Sequence, residues 1–261
     1  MKRFNVKRLT YGGLMTALVF AATAMIPQIP IPFTEGFIHI GDSMIFVASV
    51  VLGWEYGLVA GGIGSAMADL YLGYAHWAIP TLIIKGIMGA IVGFMAQGIK
   101  DNKLKAFRNI IGYAIGIGWI GLAIYFRSIL SNISNNIQNS ELTSFFIEKF
   151  ELDGAKQLQA LIESVQLSLM IAIIAIPILI LILSIVLRKS DKELFSMNSL
   201  MGMTIAGLWM VVGYYIAGGI LKGNMIIPIF SVPANVIQFV GGVVIAFPII
   251  IALKKANLSK H

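Results

Sequence analysis

The sequence predicts an all-α integral membrane protein, and three observations carry that prediction. Apolar residues make up 58% of the 261 and charged residues only 12%, about half the charged share of an ordinary soluble domain. The apolar residues gather into about eight stretches of roughly 17–25 residues, the length that crosses a hydrocarbon core. The basic residues collect in alternate connections between those stretches, as they do in multi-pass proteins.

The spans are placed at 10–32, 38–54, 56–74, 78–98, 108–127, 166–188, 197–222 and 232–253. The first is too long to be a cleaved signal peptide, and no small-x-small cleavage site precedes a mature soluble domain. Orientation follows from Lys and Arg. Lys2, Arg3, Lys7 and Arg8 precede span one; Lys100, Lys103, Lys105 and Arg108 separate spans four and five. Arg188, Lys189 and Lys192 separate spans six and seven, and Lys254, Lys255 and Lys260 follow span eight. Those are fourteen of the nineteen basic residues, so both termini are expected in the cytoplasm of a cell-membrane protein. The excess positive charge then faces an anionic inner leaflet, and it offers no evidence for nucleic acid.

Small residues recur every four positions. Gly13, Ala17 and Ala21 do so in span one, Gly57, Gly61 and Ser65 in span three. Gly86 with Ala90, and Gly89 with Gly93, do so in span four. Residues four apart share a helix face, and small ones let two helix backbones approach closely. Bundle packing accounts for the stripes of spans three and four; the first-span stripe is equally suited to a separate protein. The connection 128–165 is polar at first and amphipathic later, which suits one or two surface-lying helices or a solvated linker.

Charges inside apolar spans are costly and mark sites by default. His39 and Asp42 open span two, Asp69 and Tyr71 close span three, and His76 and Trp77 open span four. Lys85 lies about two helical turns inside span four. Asn224, Asn235 and Gln238 flank the last outer connection. All of these belong to one side of the membrane in the eight-span topology. Rings to stack on and amide or charged groups to orient suit a small, polar, aromatic solute. Each residue also has a plainer role. Lys85 has Asp69 or Asp42 as a structural partner, the histidines bond locally, and Trp77 and Tyr71 sit where an aromatic belt puts them. His39 with Asp42 is too small a donor set for a metal. Glu55, in a tight cytoplasmic GWEYG turn, is expected to be solvated.

Several segments together resemble one family. They are the N-terminal alanine stripe, FIHIGD, GLVAGGIGSAMADLYLGY, PTLIIKGIMG and SVPANVIQF. They look like the substrate-capture (S) components of energy-coupling factor (ECF) vitamin transporters, of the riboflavin, pyridoxine and hydroxymethylpyrimidine type. The resemblance covers about 1–100 and 197–255. It implies a six-helix bundle that binds a water-soluble vitamin or precursor near the outer face without a cofactor. It also implies partners, a transmembrane coupling subunit and two cytoplasmic ATPases. The family's alanine-x-x-x-alanine contact to the coupling subunit falls on Ala17 and Ala21, extended by Gly13.

Against that pattern, 1–98 holds the first four core spans and 197–261 the last two with a cytoplasmic tail. Residues 99–196 are two additional spans, an inserted helical hairpin with a long extracellular loop. Substrate contacts are expected from His39, Asp42, Asp69, Tyr71, His76, Trp77, Lys85, Asn224, Asn235 and Gln238.

The alternative is a stand-alone proton- or ion-coupled secondary transporter built around Asp69 and Lys85. The absence of a convincing repeat between the two halves speaks against it. No HExxH, GxSxG, aspartate-rich diphosphate motif or phosphate loop ending in GK[ST] is present, so the chain is not expected to be an enzyme or to hydrolyse ATP itself. The lack of any cysteine excludes disulfides and thiol chemistry.

Overall fold

The computed structural model describes residues 6–31, 36–97, 102–137, 141–189 and 196–256. Lys2, Arg3, Lys100, Lys192 and Lys260, used above for orientation, lie outside the described residues. Helices account for all eight expected spans: α1 (Val6–Ala24), α2 (Gly41–Leu52), α3 (Trp54–Tyr71), α4 (Ala75–Ala96), α5 (Asn102–Asn135), α7 (Ala155–Lys189), α8 (Met197–Lys222) and α9 (Val232–Lys255). A short helix, α6 (Glu141–Lys149), joins α5 to α7. Among the described residues, five helices are long and apolar enough to cross a membrane: α4, α8, most of α5 and of α7, and α9 with the turn before it.

Four helices depart in length from the expected spans. α1 stops at Ala24 rather than at residue 32. Pro27 and Pro30 follow, and a proline both lacks a donor and forces its predecessor out of helical geometry. The chain there forms an antiparallel hairpin, β1 (Ile29–Ile31) with β2 (Gly36–Ile38), in the register Ile29↔Ile38, Pro30↔Phe37, Ile31↔Gly36. α2 has only 12 residues, about 18 Å of helix. Gly53 ends it with φ of 100° and a backbone bond back to Ser49, so α3 begins at the very next residue. α5 and α7, at 34 and 35 residues, reach about 50 Å, well beyond a hydrocarbon core of about 30 Å.

The core is built on glycine. A Cβ added at Gly89 would strike the Gly57 carbonyl, one at Gly61 the Lys85 carbonyl, and one at Gly93 the Trp54 backbone. The stripes of α3 and α4 therefore face each other, backbone against backbone. α1 packs on α3 through its inner face, where Thr16 and Val19 meet Gly64 and Gly12 lies under the Tyr56 ring. Its other face differs. Gly13 and Ala17 are exposed, Ala21 is half-buried, and nothing stands within 4 Å of a Cβ built at Gly13.

α8 packs against α4, with Trp209 Nε1 donating to the Ile84 carbonyl at 3.1 Å, and α2 packs against α9. Ser196 caps α8 by accepting from the Ser199 N–H, and Gly223, at φ 61°, ends it.

α5, α6 and α7 pack on one another and, through α5 and α7, on α8 and α9, with the Phe126 and Tyr215 rings 4.6 Å apart. Leu158 and Ile162, expected on a surface-lying helix, are instead fully buried in the first turns of α7. Phe146 and Phe150 of α6 are buried against Phe230, with ring centroids 6.2 and 5.1 Å away. Phe230 belongs to the 3-10 turn Ile227–Ser231 that precedes α9.

Candidate solute-binding site

One end of the bundle holds a cavity of about 640 Å³, its open mouth included. Asp69 reaches it from the last turn of α3, and Tyr74, Trp77 and Thr81 from the start of α4. Tyr214, Gly218 and Lys222 line it from α8, and Pro228, Ser231, Asn235 and Gln238 from the 3-10 turn and α9. The hairpin supplies Ile31, Gly36 and Phe37, with His39 just beyond it. Five separate chain segments thus meet at one end.

Beneath the cavity lies a buried polar core. Lys85 is fully buried and ion-paired with Asp42 Oδ1, which is itself fully buried. The lysine Nζ also lies 2.9 Å from Met210 Sδ and 5.4 Å from the Tyr214 ring centre, a cation–π distance. Asp42 occupies the first turn of α2, where the helix dipole favours a carboxylate.

Gln238 links this pair to the cavity wall. Its Nε2 donates to Asp42 Oδ2 at 3.1 Å, and its Oε1 accepts the His39 backbone N–H at 3.1 Å. His39 Nδ1 accepts the Gly41 N–H at 3.1 Å, which requires that nitrogen to be unprotonated. One amide side chain therefore joins α9, the hairpin exit and the ion pair.

The cavity wall is aromatic on one side. Trp77 packs on Tyr214 with centroids 5.8 Å apart, and Phe37 packs on both Tyr74 and His39 at 5.5 Å. Tyr214 donates its hydroxyl to Thr81 at 3.2 Å, and the Thr81 side chain bonds Asp69. Among the described residues, two buried polar atoms of the lining have no hydrogen-bond partner: Asp69 Oδ2 and Trp77 Nε1.

The expected site residues divide into three groups. Asp69, Trp77, Asn235, Gln238 and His39 meet at the cavity. Asp42 and Lys85 lie behind the wall as a mutual pair, so Lys85 takes Asp42 rather than Asp69. Tyr71, His76 and Asn224 lie off the cavity lining. Tyr71 is exposed and packs edge-on against Phe20 at 5.7 Å. His76 is exposed, with its ring beside Tyr74 and Trp77. Asn224 Oδ1 accepts from the Ile226 N–H at 2.7 Å, closing the turn after α8.

Sequence reasoning missed Thr81 and Tyr214. Thr81 is the one hydroxyl of α4 and Tyr214 is one of two adjacent tyrosines in α8, and only the third partner, Asp69, gives them meaning.

A second hollow lies between α4, α5 and α8, lined by Ile91, Leu122, Leu208 and Trp209 among others. It is almost wholly apolar and lacks the convergent polar groups of a solute site.

Similarities to known proteins agree with this architecture. The family model described as "ECF-type riboflavin transporter, S component" matches residues 3–182 and 169–255. A Pyrococcus woesei protein carrying the name "Uncharacterized protein in gap 3'region" is 38% identical over 102 residues, 39% of this chain and 68% of its own length. "Thiamine precursor transporter HmpT" of Lactococcus lactis subsp. cremoris is 30% identical over 116 residues, 44% of this chain and 69% of its own. A UPF0397 protein of Streptococcus pneumoniae is 30% identical over 110 residues, 42% and 59% respectively. No solved structure matches. With the family model running across both halves of a helical, multi-pass chain, the protein belongs to the S components of ECF-type riboflavin transporters.

Proposed function

We propose that this chain captures a small water-soluble vitamin or vitamin precursor in the cavity between α3, α4, α8, α9 and the hairpin, for ATP-driven uptake. The single observation that carries the reading is convergence: five segments bring aromatic rings, an amide and a carboxylate to one end of a membrane bundle. The family match supports a transport role, and the likeness to a thiamine precursor transporter supports a vitamin precursor as cargo. The distribution of Lys and Arg supports cytoplasmic termini and, with them, a cavity that opens on the outer face.

Capture is by binding alone. The hairpin closes one side of the cavity, and the Gln238 bridge ties its exit to the buried ion pair. The power stroke belongs to partners. The exposed face of α1 carrying Gly13, Ala17 and Ala21 docks a transmembrane coupling subunit, itself driven by two cytoplasmic ATPases. The S component then reorients in the bilayer to release its cargo inside. The core is formed by 1–98 and 197–261, and 99–196 is an inserted unit whose outer end rests on Phe230 beside the cavity.

Reconstitution tests this. Proteoliposomes holding this chain alone should bind but not accumulate a vitamin; adding the coupling subunit and ATPases should give ATP-dependent uptake. Accumulation by the chain alone under a proton or ion gradient would refute the proposal.

A further inference from the structure

The 3-10 turn Ile227–Ser231 stands between the cavity and the inserted helices, and its two sides serve different neighbours. A 3-10 helix repeats every three residues, so side chains three apart lie one above the other. Pro228 and Ser231 share one side and line the cavity. Ile227 and Phe230 share another, and both are buried. Phe230 meets the rings of Phe150 at 5.1 Å and Phe146 at 6.2 Å, and those two pack on each other at 5.5 Å. Phe146, on α6, and Phe150, just past its end, are themselves buried.

The turn is too short to hold its own place. It has five residues, its bonds are of poorer geometry than those of an α-helix, and Pro228 has no N–H to give. Its inner shape is set locally. Asn224 Oδ1 accepts the Ile226 N–H at 2.7 Å, and Ser231 Oγ donates to the Pro228 carbonyl at 2.8 Å. Those bonds leave the turn able to tilt as one piece, and packing on its two sides opposes the tilt. On the cavity side, Pro228 and the tip of Trp77 both stand over Gly218: a Cβ built there would lie 3.1 Å from Pro228 Cγ and 3.5 Å from Trp77 Cη2. On the other side stand the Phe146 and Phe150 rings. Because α9 starts at Val232, directly after the turn, a tilt would also carry Asn235 of the cavity wall.

We infer that the inserted segment serves solute binding: Phe146 and Phe150 are positioning residues that hold the Ile227–Ser231 turn from behind, so that Pro228 and Ser231 keep their places in the cavity wall. Neither ring lines the cavity; both act through Phe230. Aromatic rings prefer particular edge-on and offset arrangements, so the three-ring contact sets the position of the turn as well as burying area. The inference rests on the capture reading above and deepens it, giving part of 99–196 a role in binding.

The chain holds no cysteine, so a Ser231→Cys variant of the full-length protein carries a single thiol on the cavity side of the turn. The test measures how fast a water-soluble maleimide labels it in detergent. Phe146→Ala and Phe150→Ala, each added to that variant, should speed labelling several-fold. Phe146→Leu and Phe150→Leu, which keep an apolar side chain, should speed it less and serve where alanine does not fold. Leu169→Ala is the control. It empties a buried site about three helical turns farther along α7 than Leu158, and should lower the melting point without changing the labelling rate. With Ser231 restored, each variant is then titrated with riboflavin, thiamine, pyridoxine and 4-amino-5-hydroxymethyl-2-methylpyrimidine. The Phe variants should bind the parent's preferred probe several-fold more weakly, through faster dissociation, and Leu169→Ala should bind it as the parent does.

Labelling at the parent's rate in the Phe variants, or labelling speeded equally by Leu169→Ala, would overturn the inference and leave vitamin capture standing. Faster labelling with unchanged affinity would do the same. A well-folded parent that binds no probe, nor any member of a wider vitamin panel, would instead overturn capture, and the labelling rates would still decide whether the two rings hold the turn.

Discussion

Replacing Lys85 by alanine removes the cation from an ion pair in which neither side chain has any exposure. Asp42 would keep its full charge, with the Gln238 amide, at 3.1 Å, as its remaining side-chain donor among the described residues. Breaking a buried pair by deleting one partner costs about 3–5 kcal/mol, because the survivor is an uncompensated buried charge. At roughly 2–4 °C per kcal/mol for a chain of this size, the midpoint of thermal unfolding in detergent should fall by on the order of 10 °C. Asp42→Asn should do the same from the other side. The double variant Asp42→Asn with Lys85→Met removes both charges and should regain most of the loss, since a buried pair exchanged for neutral groups of similar size is often close to neutral. The assay is size-exclusion monitored after heating, run on the parent, Lys85→Met, Asp42→Asn and the double variant as one cycle, with Lys85→Ala beside them. Losses that simply add, or a Lys85→Ala protein that melts like the parent, would refute the buried pair as a structural element.

Other perturbations probe the rest of the structure. Gly89→Ala and Gly57→Ala should each destabilise the fold by a few degrees or abolish expression, because each added Cβ meets the backbone or side chains of the facing segment; Gly13→Ala, with open space around it, should melt like the parent. Ala17→Trp should leave ligand affinity and melting unchanged but abolish uptake in the reconstituted complex, as a bulky ring on an exposed helix face holds the coupling subunit away; unimpaired uptake would remove α1 from that contact. Phe146→Ala empties a fully buried site against Phe150 and Phe230. It should cost about 3–5 kcal/mol in melting experiments. It should also weaken ligand binding several-fold if α6 steadies the 3-10 turn, and unchanged affinity would separate α6 from the site.

Much of this was legible in the sequence, for reasons that are local. Long apolar stretches declare helices whatever their tertiary neighbours, so every expected span has its helix. The glycine stripes of α3 and α4 were readable because close approach needs small residues at fixed spacing. A lysine two turns inside such a stretch must be compensated, and Lys85 is. Its choice of Asp42 over Asp69 was not readable, since it depends on how α2 and α4 are rotated about their axes. The same rotation puts Tyr71 against Phe20 and His76 at the surface, although their sequence positions sit beside Asp69 and Trp77. The early end of α1 was a missed signal, because Pro27 and Pro30 argue against helix there without any structure. Thr81 and Tyr214 carried no such signal; a hydroxyl in an apolar helix acquires a role only when the fold brings Asp69 to it.

The central claim, that this chain is a binding component for a vitamin-like solute, is tested most directly by identifying what it carries. Protein purified gently from membranes would be denatured and its released small molecules identified by mass spectrometry, then retitrated onto stripped protein without ATP or an ion gradient. The account predicts a vitamin or precursor retained near one per chain and rebound tightly. A protein that carries nothing, binds no member of a vitamin panel, and moves a solute alone under a proton gradient would contradict it.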